Sequence, residues 1–62
     1  MENLRDYRIR KFNDENDEAG MIISVIRETT IENICNISND LKKHNPNSIF
    51  VIERIQENNK QD

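Results

Sequence analysis

Residues 21–44 read MIISVIRETTIENICNISNDLKKH, and the spacing of their apolar side chains changes partway along. The run from Met21 to Glu28 is rich in isoleucine and valine and too short to favour a helix, which predicts a strand. From Ile31 onward the apolar residues recur at helical spacing, so that one face packs and the other is solvated. The predicted packing face consists of Ile31, Ile34, Cys35, Ile37, Ser38 and Leu41.

The helix has recognisable signals at both ends. Thr29 stands three residues before Glu32, the spacing of a capping box, in which a hydroxyl and a carboxylate satisfy free backbone N–H groups reciprocally. Basic residues in the last turn suit the negative end of the helix dipole, Asn45 tolerates a left-handed C′ position, and Pro46 cannot continue the helix. A helix over residues 30–44 is predicted.

Two further strands flank this stretch. Residues 4–12 place Tyr7 and Ile9 on one face and charged side chains on the other, the period-two pattern of a half-buried strand. Residues 48–55 form a third apolar run. Residues 13–20 are polar, acidic and rich in turn formers, which predicts a long solvated hairpin loop.

The predicted fold class is therefore α+β, with the order β-β-α-β. A right-handed crossover gives a three-stranded antiparallel sheet in the order 2-1-3, with the helix packed on one face. Residues 1–55 are predicted to form a single domain, and the polar residues 56–62 a disordered tail.

Composition excludes several classes of function. A chain of 62 residues buries only about 60% of its unfolded surface, so its stability is marginal. A single cysteine and a single histidine exclude an intrachain disulfide and a thiolate–imidazole metal site, and we expect no cofactor. The net charge of −3 disfavours general attraction to nucleic acid or to an anionic membrane. The absence of an apolar run of about 18 residues and of a secretory signal predicts a cytoplasmic protein.

Both faces of the predicted sheet carry large apolar side chains, although one helix can cover only one face. We expect another protein surface to cover the exposed apolar side chains of the second face. The predicted arrangement is a homodimer, formed either by packing two sheet faces together or by pairing two edge strands. In the alternative, the loop and the tail cover this surface and the chain is monomeric. One set of candidate interface residues is Ile22, Ile26, Phe50 and Ile52, and the other is Ile23, Val25, Ile49 and Val51. The candidate interface is the set that the helix leaves uncovered, which the sequence does not decide, and the first set is the one we name.

The motifs that suggest chemistry are incomplete. Cys35 would need a neighbouring base to act as a nucleophile, and His44 lies about 13 Å further along the same helix, at 1.5 Å per residue. We therefore predict a buried structural cysteine. Residues 14–18 resemble the start of a calcium loop, but Ala19 stands where that loop requires glycine. We predict that the protein is not an enzyme.

The first strand is basic, which supports an alternative function as a nucleic-acid-binding regulator. The candidate contacts are Arg5, Arg8, Arg10 and Lys11. Glu28 or Glu53 on the neighbouring strands could instead pair with this row of cations. In a third hypothesis, the acidic loop imitates phosphates and occupies a DNA-binding protein.

In this arrangement the chain resembles the short β-β-α-β proteins often encoded by phages and prophages of low-GC bacteria. The matching segments are residues 7–9, the cap and first turns of the helix over residues 29–35, and residues 49–53. The resemblance implies an accessory protein of a mobile element that modulates a host protein. Our predicted function is accordingly a small non-enzymatic protein-binding module with a protein partner.

Overall fold

The described part of the chain folds into three antiparallel strands and one helix. The computed structural model describes residues 3–56, with β1 at Arg5–Phe12, β2 at Met21–Thr29, α1 at Ile31–His44 and β3 at Ile49–Ile55. The sheet order is β2-β1-β3, and both pairings are antiparallel. The predicted α+β class and strand order are confirmed. Of the predicted tail, residues 57–62 lie outside the described residues.

The core lies between α1 and the central strand. Ile9 of β1 and Ile34 of α1 are fully buried, and Tyr7 is nearly so. The alternation of β1 directs Tyr7 and Ile9 to the same face, and α1 contributes Ile34, with Ile37 and Leu41 half-buried around it. Among residues 3–56 only two large side chains, those of Ile9 and Ile34, are fully buried, so this core is small.

Two bulges interrupt β2. Between Arg5↔Thr29 and Tyr7↔Ile26, and again between Ile9↔Ser24 and Arg10↔Ile22, β2 advances one residue more than β1. Each extra residue shifts the inward–outward alternation of β2, so that the two ends of the strand do not follow a single period-two pattern.

The first bulge is held by a side chain of β1. Glu28 has a φ of 54°, in the left-handed region. The carboxylate of Asp6 accepts the Glu28 N–H at 2.9 Å, and its other oxygen accepts Arg27 Nη1 at 2.9 Å. Asp6 therefore stabilises a backbone conformation that glutamate rarely adopts.

The helix begins one residue later than the capping-box prediction requires. Thr30 is the N-cap, and its Oγ1 accepts the Asn33 N–H at 3.1 Å. Thr29 pairs with Arg5 in the sheet and is buried, because β2 continues through it. The prediction of a capping box between Thr29 and Glu32 is therefore wrong.

The helix ends where predicted, but by a different mechanism. Asn45 has a φ of −136°, so the predicted left-handed conformation is wrong. Its backbone N–H donates to the carbonyls of Leu41 and Lys42, and its side-chain Nδ2 donates to Leu41 O at 3.1 Å. The side chain supplies the cap, so a left-handed turn is not needed.

The loop over residues 13–20 is organised by Asp17. Its carboxylate accepts the N–H groups of Asn13 and Gly20, each at 3.0 Å. The hydrogen bond from Asn13, followed by that from Gly20, holds the pKa of Asp17 below its ordinary value. Asp14 accepts the Asn16 N–H at 2.9 Å. The acidic side chains thus bond within the loop itself.

Candidate functional site

The sheet face opposite α1 carries the largest group of exposed aliphatic side chains in the sheet, and we call it the open face. Directly opposed residues in a sheet share a face, and Arg10 lies opposite Ile22 and Val51, while Arg8 lies opposite Val25 and Glu53. The aliphatic members remain 38–50% exposed. Phe12, opposite Ile49, and Asp6, opposite Ile55, lie at the two ends of the same face. We keep the name open face for its central charged residues and exposed aliphatic residues, namely Arg8, Arg10, Ile22, Val25, Ile49, Val51 and Glu53.

A charged cluster lies at the centre of the open face. Glu53 Oε1 accepts Arg8 Nε at 2.6 Å, and Glu53 Oε2 accepts Arg10 Nε at 3.0 Å. The bonds from Arg10, and next from Arg8, hold the pKa of Glu53 below its ordinary value. Arg10 also donates from Nη1 to Ala19 O at 3.0 Å, which joins the cluster to the hairpin loop.

The cluster carries an excess positive charge, since one carboxylate is shared by two guanidinium groups. The three side chains are 24–38% exposed, so the cluster is accessible from the open face. The predicted pairing of Glu53 with the basic strand is confirmed.

The structure corrects the choice of candidate interface residues. Ile26, Phe50 and Ile52 pack against the core beneath α1, so these three do not belong to an exposed surface. Ile22 is the only member of that set on the open face, because the second bulge moves it out of phase with Ile26. The other set, namely Ile23, Val25, Ile49 and Val51, is exposed.

The candidate nucleic-acid contacts do not form one surface. Arg8 and Arg10 belong to the open face and are bound to Glu53, whereas Arg5 and Lys11 have the opposite parity along β1. Arg5 donates from Nη1 to Leu4 O at 3.0 Å. The basic row is therefore divided between the two faces of the sheet.

Cys35 is exposed, and the prediction of a buried cysteine is wrong. It lies on α1 one turn beyond Ile31, which is itself 55% exposed. A sheet of three strands is narrow, and Ile34, Ile37 and Leu41 occupy its centre. The edge of the predicted helical arc, including Cys35, therefore projects past the sheet.

Residues 3–56 contain no group of three or more His, Cys, Asp or Glu side chains placed to hold a metal ion. In the same part of the chain, no helix has the length and apolar character required to cross a membrane. Comparisons with protein-family models, curated proteins and solved structures found no match to this chain.

Proposed function

We propose that this chain is a small non-enzymatic module that binds another protein through its open face. The observation that supports this function is the group of exposed aliphatic side chains around the Arg8–Glu53–Arg10 cluster. The resemblance to phage and prophage accessory proteins suggests a host protein as the target.

The apolar part of the surface supplies a driving force. Fully burying a valine or isoleucine contributes about 1.5–3 kcal/mol. Ile22, Val25, Ile49 and Val51 are 38–50% exposed, so a partner that covered them would gain about 2–5 kcal/mol from this term. A gain of that size is useful for affinity and is a substantial fraction of the roughly 5–15 kcal/mol stability of a typical domain.

The charged part of the surface indicates the chemistry of the partner. Because Arg8 and Arg10 share Glu53, a partner surface that places a carboxylate among aliphatic side chains complements the excess positive charge. Two copies of the open face packed against each other would oppose like charges near the two-fold axis. The electrostatics therefore favour a different protein over face-to-face self-association.

The test is affinity capture from host lysate with matched variants. Val25→Asp places an acid in the open face, next to Arg8, while Asn36→Asp places the same charge on the exposed side of α1. We expect a protein that is retained by the wild type and by Asn36→Asp to be lost with Val25→Asp. Circular dichroism must show both variants folded, and binding of the purified partner must reproduce the difference.

Two outcomes contradict the proposal. One is a captured protein that Val25→Asp retains as well as the wild type does. The other is DNA or RNA that is bound at 50 mM salt and released at 200 mM, since that salt dependence is typical of phosphate contacts and would support the alternative function through the basic strand.

A further inference from the structure

The two edges of the sheet differ in regularity. β2 carries two bulges and the left-handed Glu28, features that obstruct the addition of another strand. β3 pairs with β1 without a register shift from Ile49 to Ile55, and it contains neither proline nor lysine. Within the described residues β3 has β1 as its only strand neighbour, so its outer edge is a regular template for pairing.

We infer that the β3 strands of two copies pair antiparallel across a two-fold axis and join their sheets into one of six strands. This interface is the backbone edge of β3, whose residues Ile49, Val51 and Glu53 also border the open face, and it does not depend on the proposed partner. A second copy fits because it brings an edge of the same length and the same regularity, and because closed two-fold association is the commonest form of oligomer.

The sequence of β3 selects the register. With Ile52 on the axis, all residues of β3 are paired, Ile49 lies opposite Ile55 of the second copy, and Phe50 lies opposite Arg54, a favourable cation–aromatic pair. Moving the axis to Glu53 places two glutamates directly opposite each other, which is unfavourable. Moving it to Val51 leaves Arg54 and Ile55 beyond the end of the partner strand.

Burial supports the same interface. β3 presents aliphatic or aromatic side chains on both faces, and Ile49 and Val51 remain 39% and 38% exposed. Ile49 and Val51 lie on the open face, and Phe50 and Ile52 lie on the face under α1. A strand added about 4.8 Å away would border both pairs at once. A single sheet-to-sheet contact would cover one face only.

The experiment combines particle mass with a disulfide trap. The trap is Ile49→Cys with Ile55→Cys in a Cys35→Ser background, which removes the exposed native thiol. In one chain the two new cysteines are about 20 Å apart along the strand, far beyond the 7 Å or so that a disulfide spans. Any disulfide therefore joins two chains. Val25→Cys, also in the Cys35→Ser background, is the control on the open face and on the other edge.

We expect the wild type to sediment at twice the 7.4 kDa chain mass at micromolar concentration. Mild oxidation should convert most of the Ile49→Cys/Ile55→Cys protein into disulfide-linked dimers and leave Val25→Cys unlinked. A particle of 7.4 kDa at 100 μM overturns the inference, as does a dimer in which Val25→Cys is linked or the paired variant is not. Loss of partner capture by Val25→Asp, with the dimer intact, would separate the two proposals.

Discussion

The stability of the sheet depends on whether the carboxyl group of Glu53 is ionised. Its hydrogen bonds from Arg10 and Arg8 lower its pKa in the folded protein. The unfolded state then binds the proton more readily, so the stabilising contribution is present above the unfolded pKa, about 4.3, and is lost as the pH falls through the lower folded value.

We predict that Glu53→Gln lowers the urea midpoint relative to the wild type at pH 7, and that the two midpoints converge as the pH falls below about 4.3. Glu15→Gln, in the exposed loop, is the control and should follow the wild type throughout. A difference for Glu53→Gln that is as large at pH 3 as at pH 7 would contradict this assignment.

The burial of some single residues was predictable from the sequence, and that of others was not. The alternation of Tyr7 and Ile9 against Arg8 and Arg10 identified the buried face of β1, because period two is a property of the strand itself. The exposure of Cys35 depends on the width of the sheet beneath the helix, a tertiary property that helical periodicity does not contain.

The start of α1 depends on the hydroxyl of Thr30. Replacing an N-cap threonine with alanine typically costs about 1 kcal/mol, and we predict a loss of that size in the free energy of unfolding for Thr30→Ala. Thr30→Ser keeps the hydroxyl and should retain most of the stability. If urea denaturation gave the two variants equal losses of unfolding free energy, the hydrogen bond from the Asn33 N–H would not be the source of the stabilisation by Thr30.

The end of the β1–β2 hairpin depends on Gly20. Its φ is 66°, and a Cβ there would lie 3.0 Å from the Lys11 carbonyl oxygen and 2.9 Å from side-chain atoms of Arg10 and Phe12. We predict that Gly20→Ala lowers the free energy of unfolding by more than about 1 kcal/mol, from the positive φ and the contact with backbone. Glu18→Ala, in the same loop, should change it little. A Gly20→Ala thermal midpoint equal to that of the wild type would argue against the strained geometry.

The bulges explain why the face of each β2 residue was not predictable. The apolar run of β2 places large side chains at consecutive positions, so it lacks the alternation that would fix a register. The structure pairs Ile26 with Tyr7 and Ile22 with Arg10, which separates two residues that an uninterrupted strand would keep on one face. For β3 the alternation held, and only the choice between its two faces remained open.

At the scale of the molecule, the two faces of the sheet should respond differently to the same charge. Phe50 is half-buried and packs against the core under α1, where an unpaired carboxylate would be strongly unfavourable. We predict that Phe50→Asp is largely unfolded at 25 °C by circular dichroism, whereas Val25→Asp, on the open face, remains folded. Equal stability of the two variants would mean that the helix-covered face has been misassigned.

The overall topology was predictable because few arrangements satisfy the order β-β-α-β. A right-handed crossover and short connections leave the order 2-1-3, which the structure has. The proposed binding surface required more information. It depends on the face that α1 covers and on the pairing of Glu53 with Arg8 and Arg10, which only the assembled sheet brings together.

The bulged β2 strand has a consequence for how far association can proceed. Two copies joined along β3 would display β2 at both outer margins, where the kinks and the left-handed Glu28 break the hydrogen-bonding ladder. A third chain would find no continuous ladder to extend, so growth stops at a closed pair instead of running on into a fibril. In such a pair, a sheet with apolar side chains on both faces would be protected from open-ended aggregation along its edges.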